Sequence, residues 1–115
     1  MAVTVFHNPN CSTSRRVLEE IRAEGYAPEV VEYMKAGWTE AGLRDLLARM
    51  NASPRDVLRT RGGQAEELGL LQDGVSDQAL LKAMIEHPVL VERPIVKAGD
   101  RAVLARPAER WREVV

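Results

Sequence analysis

The chain has 115 residues, of which 45% are hydrophobic and 29% charged, a balance typical of one compact domain, residues 1–115, with a buried core. A net charge of -1 and an aromatic content of 4% exclude the basic, stacking surface of a typical nucleic-acid-binding protein. No stretch approaches the roughly 20 apolar residues of a membrane span, and no secretory leader is visible. We therefore expect a cytoplasmic protein that binds neither membranes nor nucleic acids.

The first third of the chain predicts a strand, a helix and a second strand. Residues 2–6 form an apolar run typical of a buried strand. Apolar residues at helical spacing follow over about residues 13–24, and Gly25 ends that helix. Residues 28–33 predict a second strand, which would run parallel to the first because a helix joins the two.

The middle of the chain predicts several helices. Thr39 is a good N-cap, and leucines follow it at the spacing of a helix with one buried face. Ser53 caps a second helix, which the glycine pair Gly62-Gly63 ends. A short helical piece lies near residues 66–68, and Ser76 caps a last helix.

The last third changes from helices to strands. Residues 92–97 and 101–105 predict an antiparallel hairpin, and Pro107 begins a terminal helix. We expect the third strand to pair parallel with the first. The element order predicts an α/β protein with the thioredoxin-like fold, a small mixed four-stranded sheet with a helical insertion between the second and third strands.

Cys11 lies where the first strand passes into the first helix. The N–H groups and the dipole of a helix N-terminus favour a thiolate there, and His7 is placed to support the negative charge electrostatically. A lone cysteine more often packs as an inert apolar group, and a single histidine more often fills a structural niche. Polar neighbours reverse that expectation, so we interpret Cys11 as a nucleophile and His7 as its catalytic partner. The supporting loop residues are Asn8, Ser12, Thr13, Ser14 and Arg15.

The cysteine has no partner in the sequence. One cysteine and two histidines are too few for a disulfide framework or a zinc centre, and we expect no bound metal or cofactor. Ser14 stands where a Cys-x-x-Cys motif has its second cysteine, which excludes a dithiol thioredoxin cycle. Val17 stands where the Cys-x5-Arg loop of low-molecular-weight phosphatases requires arginine. A covalent adduct on Cys11 must therefore be resolved by a thiol from outside the chain.

Four stretches of the sequence add a further signal. They are His7-Asn8-Pro9-x-Cys11-Ser12-x-Ser14-Arg15, Glu66-Glu67-Leu68-Gly69-Leu70, His87-Pro88-Val89-Leu90-Val91-Glu92-Arg93-Pro94-Ile95-Val96 and Arg106-Pro107. Together they resemble the glutaredoxin-linked arsenate reductases, almost from end to end of the chain. The resemblance implies an oxidoreductase of arsenic detoxification that reduces arsenate to arsenite through an adduct on Cys11, with glutathione as co-substrate and glutaredoxin as partner.

The resemblance also implies an oxyanion-binding site for arsenate or a similar anion. Its residues would be Arg59, Arg93 and Arg106. Arg55 and Arg61 compete with Arg59, because all three lie in the same loosely matched segment. Guanidinium groups suit a tetrahedral oxyanion, since they stay protonated and donate two hydrogen bonds at once. Pro94 is expected to follow a cis peptide bond, opposite Cys11.

Two other functions stay open from the sequence. A monothiol protein that exchanges glutathione with protein disulfides would share the Cys-x-x-Ser spacing, but three convergent arginines argue against it. A non-enzymatic, redox-related interaction protein would share the fold. Regulators of that kind typically carry a Cys-x-x-Cys switch, which Ser14 removes here.

Overall fold

The computed structural model describes residues 2–115, which divide into two compact units. The first unit comprises the described residues up to Ala36 together with Arg93–Val115, and the second comprises Gly37–Glu92. In the chain, the second unit stands where a helical insertion is predicted. The expectation of one domain over residues 1–115 stays a prediction.

A four-stranded mixed sheet organises the first unit. Its strands are β1 (Val3–Phe6), β2 (Glu29–Val31), β3 (Ile95–Ala98) and β4 (Arg101–Leu104). Their spatial order is β2-β1-β3-β4, with β1 parallel to β2 and β3 antiparallel to β4. This topology confirms the predicted α/β fold with a small mixed sheet.

The direction of β3 corrects one expectation. β3 runs antiparallel to β1, not parallel, with Phe6 opposite Ile95 and Val3 opposite Ala98. The carboxyl end of β1 therefore lies beside the amino end of β3. The loop after Phe6 and the segment before Ile95 leave the sheet at the same end.

Helix α1 (Ser12–Ala23) packs on this sheet through one apolar face. Val17, Leu18 and Ile21 recur at helical spacing and are buried. They share a core with Val3, Val5, Val96, Ala98, Val103, Ala105, Ala108, Trp111 and Val114. The chain turns after α1 at Gly25, whose φ of 93° favours glycine. The buried face fixes α1, and with it the position of its N-terminus.

The chain ends in a 3₁₀ helix, Ala108–Glu113, where the sequence predicts an α-helix beginning at Pro107. Trp111 is buried in it, and its Nε1 donates a 2.9 Å hydrogen bond to Oε1 of Glu20 on α1. The guanidinium carbon of Arg112 lies 4.4 Å from the centre of the same ring. The hydrogen bond from Trp111 to Glu20 joins this 3₁₀ helix to α1.

Two predicted boundaries in the first unit are wrong. β2 ends at Val31, and Tyr33 does not belong to it but begins α2 (Tyr33–Ala36), a single turn in which Tyr33 is buried. β3 begins only after Pro94, because proline has no N–H to donate to a neighbouring strand.

The second unit is built from short helices. α3 (Glu40–Met50) follows Thr39 and α5 (Asp77–Glu86) follows Ser76, whose side-chain oxygens accept hydrogen bonds from backbone N–H groups of each first turn, as predicted. The other helical turns are the 3₁₀ helix Pro54–Val57, α4 (Gln64–Glu67) and the 3₁₀ helix Pro88–Leu90. Across residues 2–115, no helix combines the length and the apolar character that crossing a membrane requires.

The prediction of one helix from Ser53 to the glycine pair Gly62-Gly63 is also wrong. Only Pro54–Val57 is helical there, and Leu58 then forms an isolated antiparallel bridge with Val91. A backbone that pairs with another segment cannot continue a helix, so the bridge ends the helical turn.

Trp111→Ala should lower the free energy of unfolding by about 3–5 kcal/mol, because it empties a large, fully buried site beneath α1. Urea unfolding followed by circular dichroism measures the change. Arg110→Ala is the matched control in the same 3₁₀ helix, where an exposed side chain should change stability by less than about 0.5 kcal/mol. Equal effects of the two substitutions would show that Trp111 does not anchor this core.

Candidate active site

The loop between β1 and α1 places Cys11 at the start of the helix. Cys11 is the N-cap of α1, still extended with φ -103° and ψ 122°, and its side chain is partly exposed. Its N–H donates to the Asn8 carbonyl at 3.0 Å, and its carbonyl accepts from the Arg15 N–H at 3.0 Å. The Asn10 N–H donates to Oδ1 of Asn8, also at 3.0 Å. These hydrogen bonds fix the position of Cys11 at the N-terminus of α1.

The surroundings of the sulfur favour its ionised form. Burial alone would raise the pKa of Cys11. Hydrogen bonds from the backbone N–H groups of Ser14 and Thr13, together with the charge of Arg106, outweigh burial and bring the pKa below that of an ordinary thiol. Nη1 of Arg106 lies 3.9 Å from Sγ of Cys11. The thiolate expected at the helix N-terminus is therefore favoured, and the guanidinium of Arg106 stabilises it further.

Ser14 is the centre of a buried polar cluster. Its Oγ lies 2.6 Å from Nδ1 of His7 and accepts a 3.1 Å hydrogen bond from the N–H of Asn8. Ser14 is fully buried, and His7 and Asn8 are each only 6% exposed. The His7 N–H donates to the Val31 carbonyl at 2.8 Å, which ties the loop to β2. The sequence predicts Ser14 as a supporting residue of the loop and as the place of a missing cysteine, but no pattern in it predicts this buried cluster.

His7 is held in its neutral form. Burial lowers the pKa of His7, and the negative charge of Glu32 raises it. The positive charges of Arg22 and Arg15 lower the pKa further, and the net direction is downward. The neutral ring shares one hydrogen bond with the Ser14 hydroxyl at Nδ1. Electrostatic support by a positive His7 is therefore disfavoured. A catalytic role for His7 stays a prediction.

Of the three arginines predicted to bind an oxyanion, Arg106 lies beside Cys11 and is joined to the backbone of Arg93. Nη1 of Arg106, besides facing the sulfur, donates a 2.9 Å hydrogen bond to the Arg93 carbonyl. Arg93 is 6% exposed. The Arg93–Pro94 peptide bond is cis, as predicted, and so is Arg106–Pro107. Antiparallel pairing of β3 with β4 brings the segments before β3 and after β4 to this one end of the sheet.

The third predicted arginine, Arg59, belongs to the second unit. Its Nη1 forms a 2.7 Å ion pair with Oε1 of Glu92, and both side chains are largely buried. Its N–H donates to the Leu90 carbonyl at 2.7 Å. The competing residues Arg55 and Arg61 are exposed. Arg59 is therefore the most firmly held of these three, but its binding of an oxyanion stays a prediction.

The other predicted loop residues differ in exposure. Ser12 is exposed, and Thr13 is half-buried, with its N–H contributing to the low pKa of the thiol. Arg15 is exposed, and its Nη1 donates a 2.8 Å hydrogen bond to the Pro9 carbonyl. Within residues 2–115, no three histidine, cysteine, aspartate or glutamate side chains are grouped closely enough to hold a metal ion.

Comparison with known proteins agrees with this geometry. The model of the ArsC family matches residues 6–114. An arsenate reductase of Synechocystis sp. is 48% identical over 93% of this chain and 76% of its own length. An arsenate reductase of Rhizobium meliloti is 44% identical over 95% of this chain and 78% of its own. A solved arsenate reductase structure from Vibrio cholerae superposes with a TM-score of 0.95 at 36% identity, covering 100% of this chain and 98% of that one.

Alkylation of Cys11 by iodoacetamide should follow a pH midpoint below the ordinary thiol value of about 8.5, because N–H donors and Arg106 stabilise the thiolate. Arg106→Ala should move the midpoint upward, whereas Arg101→Ala, an exposed arginine on β4, should not. A wild-type midpoint at or above the ordinary value would contradict an activated thiol.

The low pKa of His7 also predicts how stability depends on pH. The unfolded chain binds a proton at His7 below about pH 6.5 while the folded chain resists it, so acidification through that range favours unfolding. The free energy of unfolding in urea should fall less steeply between about pH 6.5 and pH 5 in His7→Gln than in the wild type. Identical slopes would mean that the folded protein does not suppress protonation of His7.

Proposed function

The chain belongs to the ArsC family, and we propose that it is an arsenate reductase, an oxidoreductase that acts through a covalent adduct on Cys11. The observation that supports this most directly is the guanidinium of Arg106, 3.9 Å from the sulfur of a thiol with a lowered pKa. A thiolate repels an anionic substrate unless a fixed cation lies beside it. Cys11 and Arg106 supply both groups.

The oxyanion would lie between the sulfur and the arginines. Arg106 is positioned by its hydrogen bond to the Arg93 carbonyl, so its fork is oriented before the anion arrives. The N–H groups of the first turn of α1 add donors at the same end of the sheet. Arg59 is proposed as the third ligand, and its place in the site rests on the sequence resemblance.

In the first step, the Cys11 thiolate attacks arsenic. An S–As bond forms, one As–O bond breaks, and the leaving oxygen takes up a proton and departs as water. Arsenic remains As(V), so no electrons have yet been transferred. The guanidinium groups stabilise the charge that gathers on the remaining oxygens.

In the second step, the thiolate of glutathione attacks the Cys11 sulfur. An S–S bond forms, and the S–As bond breaks with its electron pair left on arsenic, which departs as As(III) in arsenite. The Cys11–glutathione disulfide is then exchanged with a glutaredoxin thiol, which takes the glutathione and restores Cys11. We propose the cytoplasm as the site of the reaction, because its glutathione pool keeps a lone thiol reduced.

The test is arsenate-dependent oxidation of NADPH in the presence of glutathione, glutaredoxin and glutathione reductase. The wild type should be active, and Cys11→Ser should be inactive while keeping its circular dichroism spectrum. A folded wild type that ignores arsenate but reduces a glutathione mixed disulfide would instead be a monothiol exchange protein.

Arg93→Ala and Arg106→Ala should each weaken arsenate binding by about 10- to 150-fold, because each removes charged hydrogen bonds worth roughly 1.5–3 kcal/mol. The KM for arsenate in the coupled assay measures the effect. Arg101→Ala is the matched control on the same sheet and should leave the KM unchanged. Wild-type values in both variants would rule out this oxyanion site.

A further inference from the structure

An open groove lies beside α1, within the first unit. It has a volume of about 330 Å³ and is lined by His7, Arg15, Leu18, Glu19 and Arg22. The four helical positions follow the spacing i, i+3, i+4 and i+7, which places them along one face of α1. A water molecule takes up about 30 Å³ in the liquid, so the groove has room for a small ion and part of its hydration shell.

The imidazole of His7 connects this groove to the buried cluster. His7 is 6% exposed, and its Nδ1 lies 2.6 Å from Oγ of Ser14. Among the residues that the structure describes, Nε2 of the same ring has no hydrogen-bond partner, and it is not sealed off from solvent. A largely buried polar atom is costly without a partner, and the groove that His7 lines can supply one.

The charged side chains of the groove are available to a ligand. Over residues 2–115, the side chains of Arg22 and Glu19 make no hydrogen bond and no ion pair, although their spacing on the helix would permit one. Arg15 donates to the Pro9 carbonyl through Nη1 and has no carboxylate partner. Two guanidinium groups against one carboxylate leave the groove with an excess of positive charge, which favours an anion.

The two guanidinium groups differ in their relation to His7. Seven residues, or about 10 Å along the axis, separate Arg15 from Arg22, so they lie toward opposite ends of the groove. The charge of Arg22 has the larger of the two effects on the pKa of His7. Helical side chains lean toward the N-terminus, which directs Arg22 toward Leu18 in the middle of the groove. Arg22 and His7 are therefore the pair best placed to contact one ion.

We propose that this groove is a second anion site, and that it binds a tetrahedral oxyanion that keeps a hydroxyl proton, the chemistry that phosphate and arsenate share. The guanidinium of Arg22 donates to the charged oxygens, and Arg15 adds positive potential from the other end. The carboxylate of Glu19 accepts the hydroxyl proton, so it disfavours an oxyanion without one, such as sulfate. The site does not depend on the proposed function, since neither Cys11 nor Arg106 lines the groove.

The His7 ring reports whether an anion is bound. The charged and polar groups that act on the ring or line the groove with it are Ser14, Arg15, Glu19, Arg22 and Glu32. An anion in the groove adds a negative charge beside the ring, and an opposite charge favours the protonated form. Binding of phosphate should therefore raise the pKa of His7 from its lowered value.

The experiment follows the Hε1 proton signal of His7 by NMR between about pH 5 and pH 8, with and without inorganic phosphate, at an ionic strength held constant with sodium chloride. Phosphate should raise the titration midpoint of the wild type, and sulfate should raise it less. At pH 7, Arg22→Ala should increase the half-saturating phosphate concentration by about three- to tenfold, the range expected for a partly exposed charge contact. Equal concentrations in Arg22→Ala and the wild type would contradict the site.

Three variants serve as controls. Arg16→Ala should respond to phosphate as the wild type does, because Arg16 is an exposed arginine of the same helix that pairs with Glu20 outside the groove. Arg106→Ala lacks a proposed arsenate ligand, yet His7 should still respond to phosphate. Glu19→Gln should narrow the difference between phosphate and sulfate. A wild-type midpoint that phosphate does not move, or a response that Arg106→Ala abolishes, overturns the proposal, whereas only the coupled assay decides on arsenate reduction.

Discussion

The antiparallel pairing of β1 with β3 is the contact on which the rest of the site depends. Because Phe6 lies opposite Ile95, the loop with Cys11 and the segment with Arg93 leave the sheet at the same end. β4 returns beside β3 and brings Arg106 to that end as well. A parallel pair would have moved Arg93 about 13 Å away, the length of a four-residue strand. At that distance Arg106 could not donate to both the sulfur and the Arg93 carbonyl.

A second constraint is the buried cluster of His7, Asn8 and Ser14. An unsatisfied buried polar group costs about 1–3 kcal/mol, and the Ser14 hydroxyl avoids this cost by bonding both the His7 ring and the Asn8 backbone N–H. Their mutual hydrogen bonds hold the first turn of α1 in one conformation. The N–H groups of Thr13 and Ser14 therefore stay directed at the sulfur without reorganisation, which is the condition for lowering its pKa.

How far the sequence predicts this protein depends on the range of the interactions involved. α1 and the β3–β4 hairpin follow from local periodicity and are confirmed. The extent of the helix after Ser53 does not follow from local periodicity, because a Ser-Pro start is common to α and 3₁₀ turns. A tertiary bridge from Leu58 ends this helical turn. The sequence does not show the direction of β3 either, since side chains alternate between the two faces with a period of two in a strand of either direction. For the site, a motif locates Cys11, but only the fold shows which donors face its sulfur.

Helix α1 has to meet two demands at once, and different parts of the helix meet them. Its N-terminus polarises the thiol, and its buried side, with Ile21, packs in the core that includes Trp111. Exposed positions contribute little to stability, usually within about 0.5 kcal/mol, so their charges can change without harming the fold. Substitutions on the buried side, by contrast, disturb the N-terminus that faces the sulfur, because the packing of Val17, Leu18 and Ile21 fixes where the helix lies on the sheet.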